Sequence, residues 1–136
     1  MRIVIDSNIV IAAMIKESTT RKILLNSFFE FIGPDYLLLE VRKYKDRIIE
    51  AVDIGENEFE ILLSLIFSNI TLIPEEEYCE LFNSLESKDF KDLPYIAVCI
   101  KMKAEGIWSH DPHFLEQEKI KVFTNINLLG FIRERD

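Results

Sequence analysis

The sequence predicts an α/β fold in which a parallel sheet is covered by helices on both faces. Five apolar runs have the length of a strand, and the segments between them show helical periodicity. The runs are too apolar to face water, which is typical of parallel strands that are buried on both sides. The candidate strands are RIVI (2–5), FEFI (29–32), ITLI (70–73), GIWS (106–109) and KVFT (121–124).

The segments between these strands predict helices. In PYIAVCIKMKAEG the apolar side chains recur with helical spacing, and Gly106 supplies a C-terminal stop. Pro34 and Pro74 mark boundaries between other elements. We therefore expect helices over residues 8–16, 19–28, 35–51, 57–67, 76–87 and 93–105.

Length and composition indicate one globular domain over residues 1–136, since 49% of the residues are hydrophobic. The net charge of −8 disfavours a surface that binds polyanions in general. Cys79 and Cys99 lack CxxC spacing, and we find neither a signal peptide nor an apolar run of membrane-spanning length. We therefore expect a soluble, cytoplasmic protein with reduced thiols.

Several acidic residues lie where a parallel sheet would bring them together. In open sheets the ligand site lies beyond the carboxyl ends of the strands, where the strand order reverses. Asp6 ends the first candidate strand and Asp111 follows the fourth, so the two carboxylates converge if these strands are neighbours. Glu40 lies on or beside the buried stripe of its helix. Asp92 opens the helix that leads into the fourth strand, and Asp89 stands one turn earlier.

Carboxylates gathered in this way repel one another, by about 4 kcal/mol at ~4 Å and an effective dielectric constant of ~20. Either the site retains protons with raised apparent pKa values, or it binds a divalent cation. Oxygen ligands of this kind suit Mg²⁺ or Mn²⁺. Because metal-held water is a nucleophile at neutral pH, such a site could hydrolyse a phosphodiester without a protein nucleophile.

Each acid also has a structural explanation. Asp6 and Asp92 could cap the helices that follow them. Glu40 could pair with Lys43 on the same helix, and Asp111 could serve the turn before a proline. Agreement with the switch-point rule favours a site, since independent caps have no reason to lie at one edge of a sheet.

The order of these residues resembles the PIN-domain ribonucleases, a family that includes the VapC-type toxins of toxin–antitoxin pairs. The resemblance rests on DSN after the first strand, an isolated Glu in a second-unit helix, KDLPYIAVC, and WSHDPHF after a strand, and it covers nearly the whole chain. It implies a three-layer α/β/α sandwich with a five-stranded parallel sheet. It also implies cleavage of RNA with Mg²⁺ or Mn²⁺ and, for a toxin, an antitoxin protein as partner.

The resemblance also assigns roles by position. It places the four family acids, which would be catalytic, at Asp6, Glu40, Asp92 and Asp111. The first, third and fourth of these would be the metal ligands. Ser7 matches a small hydroxyl residue that commonly follows the first acid, Asn8 the position after it, and Asp89 an additional acid around the site. Asp35 is an alternative to Glu40 as the second acid.

Two cations could contact the phosphates of RNA. Ser18 or Thr19 can cap a helix whose first turn carries Arg21 and Lys22, which is a phosphate-binding arrangement. The alternative is a solvated basic turn. The four site acids account for −4 of the net charge of −8, and two divalent cations would cancel that share, so an acidic protein could still hold RNA locally.

The residues near the last acid have simpler interpretations. His110 and His113 flank Asp111, but neither a thiolate nor a third histidine completes a zinc site. Trp108 and Phe114 are predicted to be core residues rather than platforms for base stacking.

Exposed apolar positions at Phe28, Phe29 and Phe131 would allow a homodimer. A non-catalytic interaction module is the alternative function. Two other phosphate-handling domains fit less well. A receiver domain needs an acceptor Asp after the third strand, and a dehalogenase-like phosphatase needs a second Asp at position 8, where this chain has Asn.

Overall fold

The computed structural model of the chain describes residues 1–85, 91–111 and 120–135, and within these ranges a parallel sheet of five strands forms the centre. The strand order is β3-β2-β1-β4-β5, so β1 lies between β2 and β4. The predicted parallel sheet is confirmed, and each strand overlaps its predicted range. The strands are β1 (Arg2–Ile5), β2 (Glu30–Pro34), β3 (Ile70–Ile73), β4 (Ile107–Trp108) and β5 (Val122–Phe123).

Helices cover both faces of this sheet. Those in the described residues are α1 (Ser7–Ile15), α2 (Thr19–Leu24), α3 (Tyr36–Lys43), α4 (Lys45–Val52), α5 (Glu56–Phe67), α6 (Leu93–Lys101) and α7 (Asn125–Arg135). The chain runs from β1 to β2 and β3 and then returns across β1 to β4. Right-handed crossovers in opposite directions lie on opposite faces, which gives the predicted three-layer α/β/α sandwich. None of these helices is long and apolar enough to span a membrane.

The helices differ from their predicted ranges in several places. The helix expected over 35–51 is two helices, because the backbone at Tyr44 leaves the helical region with φ −100° and ψ 15°. In place of the helix expected over 76–87, the described residues form 3-10 segments at Glu75–Glu77 and Cys79–Ser84. α7 was not predicted, since its sequence contains Asn and Gly residues that disfavour helices.

Gly106 has a different role from the predicted one. α6 ends at Lys101, and the residue with left-handed backbone after it is Lys103, with φ 53°. A Cβ at Gly106 would lie 2.5 Å from the carbonyl oxygen of Lys121 and 2.7 Å from Cε2 of Phe123. Glycine is therefore needed here because β5 approaches too closely for a side chain.

Three phenylalanines that were expected to be exposed pack inward. Phe29 is buried, and Phe28 and Phe131 are partly buried against the core. None of the three positions that suggested a homodimer is therefore a fully exposed apolar side chain, and the homodimer stays a prediction. Trp108 is fully buried, which confirms its prediction as a core residue, whereas Phe114 lies outside the described residues.

Gly106→Ala is expected to lower the free energy of unfolding by about 1–3 kcal/mol, the usual cost of overpacking. The added methyl group would meet backbone atoms of Lys121, which cannot move without shifting β5. Gly130→Ala is the matched control, because a Cβ there meets no atom within 4 Å and helix propensity should raise stability by about 0.5–1 kcal/mol. Urea unfolding measures both effects, and equal changes in the two variants would contradict the close approach at Gly106.

Candidate active site

The carboxyl ends of β1 and β4 meet where the strand order reverses. β4 pairs directly with β1, with Ile5 opposite Trp108, and the amide of Asp6 donates a hydrogen bond of 3.1 Å to the carbonyl oxygen of Trp108. Asp6 and Ser109, the residues that follow the two strands, therefore lie side by side. This confirms that strands one and four are neighbours and places the candidate site at the switch point of the sheet.

Hydroxyl groups hold the side chain of Asp6, which is only 4% exposed. Ser109 Oγ donates to Oδ2 at 2.7 Å, and Ser7 Oγ donates to Oδ1 at 3.5 Å. Ser109 Oγ in turn accepts from the amide of Asp111 at 2.9 Å, so one hydroxyl connects two of the predicted acids. Asp6 occupies the N-cap of α1, but its carboxylate makes no capping hydrogen bond. Helix capping therefore does not explain this residue.

Burial raises the pKa of the Asp6 carboxyl from 3.8 to about 6. The hydrogen bond from Ser109 and the nearby Ser7 amide lower the pKa, whereas the charges of Glu40 and Asp111 raise it. Three of the four predicted catalytic acids are thus electrostatically coupled. Among the described residues, the groups that favour the ionised form are neutral donors, so a bound cation would stabilise this carboxylate further.

Tyr95 on α6 holds Glu40. Its hydroxyl donates a hydrogen bond to Glu40 Oε1. Burial and the charges of Glu40 and Asp6 raise the pKa of Tyr95 above its usual range, so the hydroxyl stays protonated. The alternative partner, Lys43, has its Nζ 5.6 Å from the centroid of the Tyr36 ring. The sequence pattern assigned Tyr95 only to an apolar stripe, although a buried phenol also needs a hydrogen-bond partner.

The nearby acid Asp35 anchors the chain instead. Its Oδ1 accepts from the amide of Tyr36 at 2.9 Å and from the hydroxyl of Tyr78 at 2.7 Å. Its Oδ2 accepts from the amide of Glu75 at 3.1 Å. Asp35 therefore caps α3 and fixes the 3-10 segment after β3. Glu40, rather than Asp35, is the acid of this region whose charge raises the pKa of Asp6.

Asp92 lies at the amino end of α6, one turn before Tyr95. It is half-buried and occupies the N-cap, but its side chain makes no capping hydrogen bond. The hydrogen bond between Tyr95 and Glu40 brings this end of α6 to the site. The role of Asp92 as a metal ligand stays a prediction. Asp89 lies outside the described residues.

Arg21 is used within the fold. Its Nε donates to the carbonyl oxygen of Ala13 at 2.6 Å, and its Nη2 donates to that of Met14 at 3.1 Å. Arg21 therefore satisfies carbonyl groups that the end of α1 would leave unpaired. Two of its donor nitrogens are thus used within the fold, and the phosphate contact predicted for Arg21 stays a prediction. Lys22 is exposed, and its contact stays a prediction.

The remaining predicted positions differ in exposure. Ser7 is buried beside Asp6, whereas Asn8 is exposed at the start of α1. His110 is exposed between Ser109 and Asp111, and His113 lies outside the described residues.

The donors at this edge of the sheet suit a hard divalent cation. Asp6, Glu40 and Asp111 supply carboxylate oxygens, which Mg²⁺ and Mn²⁺ prefer. In the part of the chain that the structure describes, no three His, Cys, Asp or Glu side chains form a group that could hold an ion. A group of three is not required, because Mg²⁺ usually binds through one or two carboxylates together with waters and substrate phosphates. The carboxylates of Asp6, Glu40 and Asp111 therefore fit such an ion.

A parallel sandwich with coupled carboxylates at its switch point is typical of proteins that handle phosphate groups. A family model of the PIN domain matches residues 4–125 of the sequence. The protein therefore belongs to the PIN domain family, whose members are in general nucleases and typically use divalent metals. The resemblance carried by DSN, KDLPYIAVC and WSHDPHF is confirmed at the level of the family. None of the curated proteins matches the chain.

Asp6→Asn is expected to stabilise the metal-free protein at neutral pH. As the pH rises from about 4 to about 6, the unfolded chain loses the Asp6 proton before the folded protein does, so the wild type loses stability. A shift of about two pKa units corresponds to a loss of about 3 kcal/mol in the free energy of unfolding. Asn does not ionise, so the variant avoids this loss. The gain in free energy of unfolding, measured with urea in EDTA, should therefore grow between pH 4 and pH 7.

Asp46→Asn is the control for this experiment, because Asp46 is an exposed acid in the first turn of α4. The difference in free energy of unfolding between Asp46→Asn and the wild type should not grow with pH in the same way. A gain from Asp6→Asn that is constant across this pH range would contradict a costly ionisation of Asp6 in the folded state.

Proposed function

We propose that this protein is a metal-dependent endoribonuclease that hydrolyses RNA phosphodiester bonds where β1 and β4 meet. The observation that carries the proposal is the buried carboxylate of Asp6. Burial raises its pKa to about 6, and the charges of Glu40 and Asp111 also raise it. An ionised group in this position costs free energy, and a divalent cation would offset that cost. The PIN domain family supplies the expectation of nuclease activity.

In this proposal Asp6, Asp92 and Asp111 hold a Mg²⁺ or Mn²⁺ ion, directly or through water. The bound ion would activate water and neutralise charge on the phosphate. Ser109 orients Asp6 through its hydrogen bond of 2.7 Å.

Glu40 has a separate part in the proposed mechanism. Its carboxylate would accept a proton from the attacking water as a general base. Tyr95 keeps that carboxylate in position, because its hydroxyl is a protonated donor at neutral pH. Chemistry of this kind needs no nucleophilic side chain.

The acidic composition is compatible with RNA as substrate. Binding to nucleic acids usually depends on counterions that are released when many Lys and Arg side chains contact phosphates. A protein with a net charge of −8 can make few such contacts. Affinity would instead depend on the divalent ion and on a few cations such as the exposed Lys22. We therefore expect weak binding to RNA in EDTA.

The test of the proposed function is cleavage of single-stranded and structured RNA during titration with Mn²⁺ or Mg²⁺. The wild type should cut with either ion and lose activity in EDTA. Asp6→Asn and Asp92→Asn should each lower the rate by at least about 100-fold, which is the upper end of the cost of losing a residue that supports a metal ligand. Asp46→Asn, at an exposed position, should retain activity.

Cleavage at full rate in EDTA would contradict the mechanism. Binding of RNA without cleavage by the metal-loaded protein would instead favour a non-catalytic interaction module. Loss of the fold in both Asp6→Asn and Asp92→Asn would instead show that these carboxylates are needed for folding.

Tyr95→Phe tests the part of the mechanism that depends on Glu40. The change removes only the hydroxyl that donates to Glu40 Oε1, so the rate should fall about 10- to 100-fold while the fold is retained. Tyr44→Phe is the matched control, because Tyr44 is 41% exposed and lies between α3 and α4. Rates at saturating Mn²⁺ compare the two variants, and equal rates would show that Tyr95 does not position Glu40.

The VapC-type resemblance supports a narrower proposal, that the nuclease is the toxin of a toxin–antitoxin pair. A small antitoxin should then be encoded beside it and should suppress RNA cleavage by the purified protein. The absence of such a neighbouring gene would contradict the toxin role but not the nuclease activity.

A further inference from the structure

A groove between α1 and α4 begins beside the proposed site. The two helices pack together, and the groove between them has a volume of about 410 Å³, within the range of ligand pockets of about 300–1,000 Å³. Asn8 at the start of α1, Lys16 at its end and Arg47 of α4 line the groove. Asn8 is two residues from Asp6. Because a helix rises by about 1.5 Å per residue, the wall that α1 forms leads about 10 Å away from the carboxylates.

The charge of this groove differs from that of the protein as a whole. The chain carries a net charge of −8, but none of the described residues that line the groove is acidic, and Lys16 and Arg47 are cations. Three other surface cavities in the described part of the chain each include at least one acid, namely Glu75, Glu134 or Glu105. The groove therefore attracts anions more strongly than its surroundings do.

The two cations of the groove are not neutralised by the fold. The neighbouring Arg42 and Lys45 each pair with a glutamate of α5, whereas Lys16 and Arg47 form no ion pair among the described residues. Arg47 lies 5.9 Å from the centroid of the Tyr44 ring, a contact that Phe at this position would retain. Arg47 is also in the first turn of α4, where the helix dipole disfavours a cation. The stability of α4 therefore does not explain this charge.

The wall between the two ends of the groove is apolar. It is formed by Ile11, Ala12 and Ile15 of α1. Apolar surface beside cations suits an unpaired nucleotide, because its base or ribose packs on the wall while its phosphate contacts the cations. The bases of a duplex are stacked within the helix and cannot pack on such a wall. The groove therefore fits single-stranded rather than double-stranded nucleic acid.

We propose that this groove binds a single-stranded segment of the RNA substrate, with a phosphate held by Lys16 and Arg47 and a base or ribose against the apolar wall. The segment would continue past Asn8 to the carboxylates where β1 and β4 meet. The inference rests on the proposed function and adds to it the form of the substrate, which is unpaired on one side of the cleaved bond.

The first test measures binding without cleavage, in Asp6→Asn protein with Mg²⁺. Lys16→Gln and Arg47→Gln should each weaken the binding of a fluorescent single-stranded RNA about tenfold, as measured by anisotropy. Each should also reduce the slope of log K against log salt by about 0.7, the share of one phosphate contact. Lys121→Gln is the matched control, because it removes an exposed cation outside the groove. An equal effect of all three changes, or no effect of any, overturns the inference.

The second test fills the groove without changing the charge, in otherwise wild-type protein. Ala12→Leu adds a larger side chain to the apolar wall, so KM for a single-stranded RNA should rise about tenfold while kcat is unchanged, the pattern of lost uniform binding. The affinity for a duplex of the same sequence should not change. Ala51→Leu is the matched control, at an exposed position of α4 outside the groove, and its KM should equal that of the wild type.

The two tests separate failure of this inference from failure of the proposed function. If RNA is cleaved but Ala12→Leu leaves KM unchanged, RNA does not enter the groove, and an apolar protein segment is then the better occupant. The inference is wrong in that case while the nuclease function stands. If no RNA is cleaved, the proposed function fails and anisotropy alone decides. Weaker single-strand binding by Lys16→Gln and Arg47→Gln then supports the groove, and unchanged binding overturns it.

Discussion

The site depends on one hydrogen bond, from the hydroxyl of Ser109 to the carboxylate of Asp6. These residues are 103 positions apart in sequence, and they meet because β4 inserts beside β1. The same hydroxyl accepts from the amide of Asp111, so it fixes the loop after β4 as well as the end of β1. Without this donor, the buried carboxylate of Asp6 would lose its closest source of stabilisation and would lie uncompensated near Glu40.

The protein keeps an unfavourable interaction at this point of the sheet. Burial and the charges of two other acids raise the pKa of Asp6, whereas Asn would satisfy the same geometry without a charge. Functional sites commonly retain groups that reduce stability, because the same groups provide binding or chemistry. In this protein the cost is limited by placing neutral hydroxyl donors around the acids.

The parts of the structure that follow from local pattern were predictable, and those that follow from distant contacts were not. The strands and the meeting of Asp6 with the loop after β4 were predicted, because apolar runs and the switch-point rule use short stretches of sequence. The internal role of Arg21 depends on where α2 lies relative to α1. The hydrogen bond from Tyr95 to Glu40 depends on how α6 packs, and the close approach at Gly106 depends on β5. These contacts join distant segments, so the spacing of residues within one segment does not predict them.

The two sides of the sheet are unequal in a way that affects the site. β1, β2 and β3 are four to five residues long, whereas β4 and β5 have two residues each. Asp6 and Glu40 belong to the longer side, and Ser109 and Asp111 to the shorter one. Native proteins open in units of unequal stability, and the unit with fewer backbone hydrogen bonds opens first. Partial opening of the β4–β5 side would thus separate the acids while the β1–β3 side stays folded, so the lifetime of the site is set by the weaker half of the sheet.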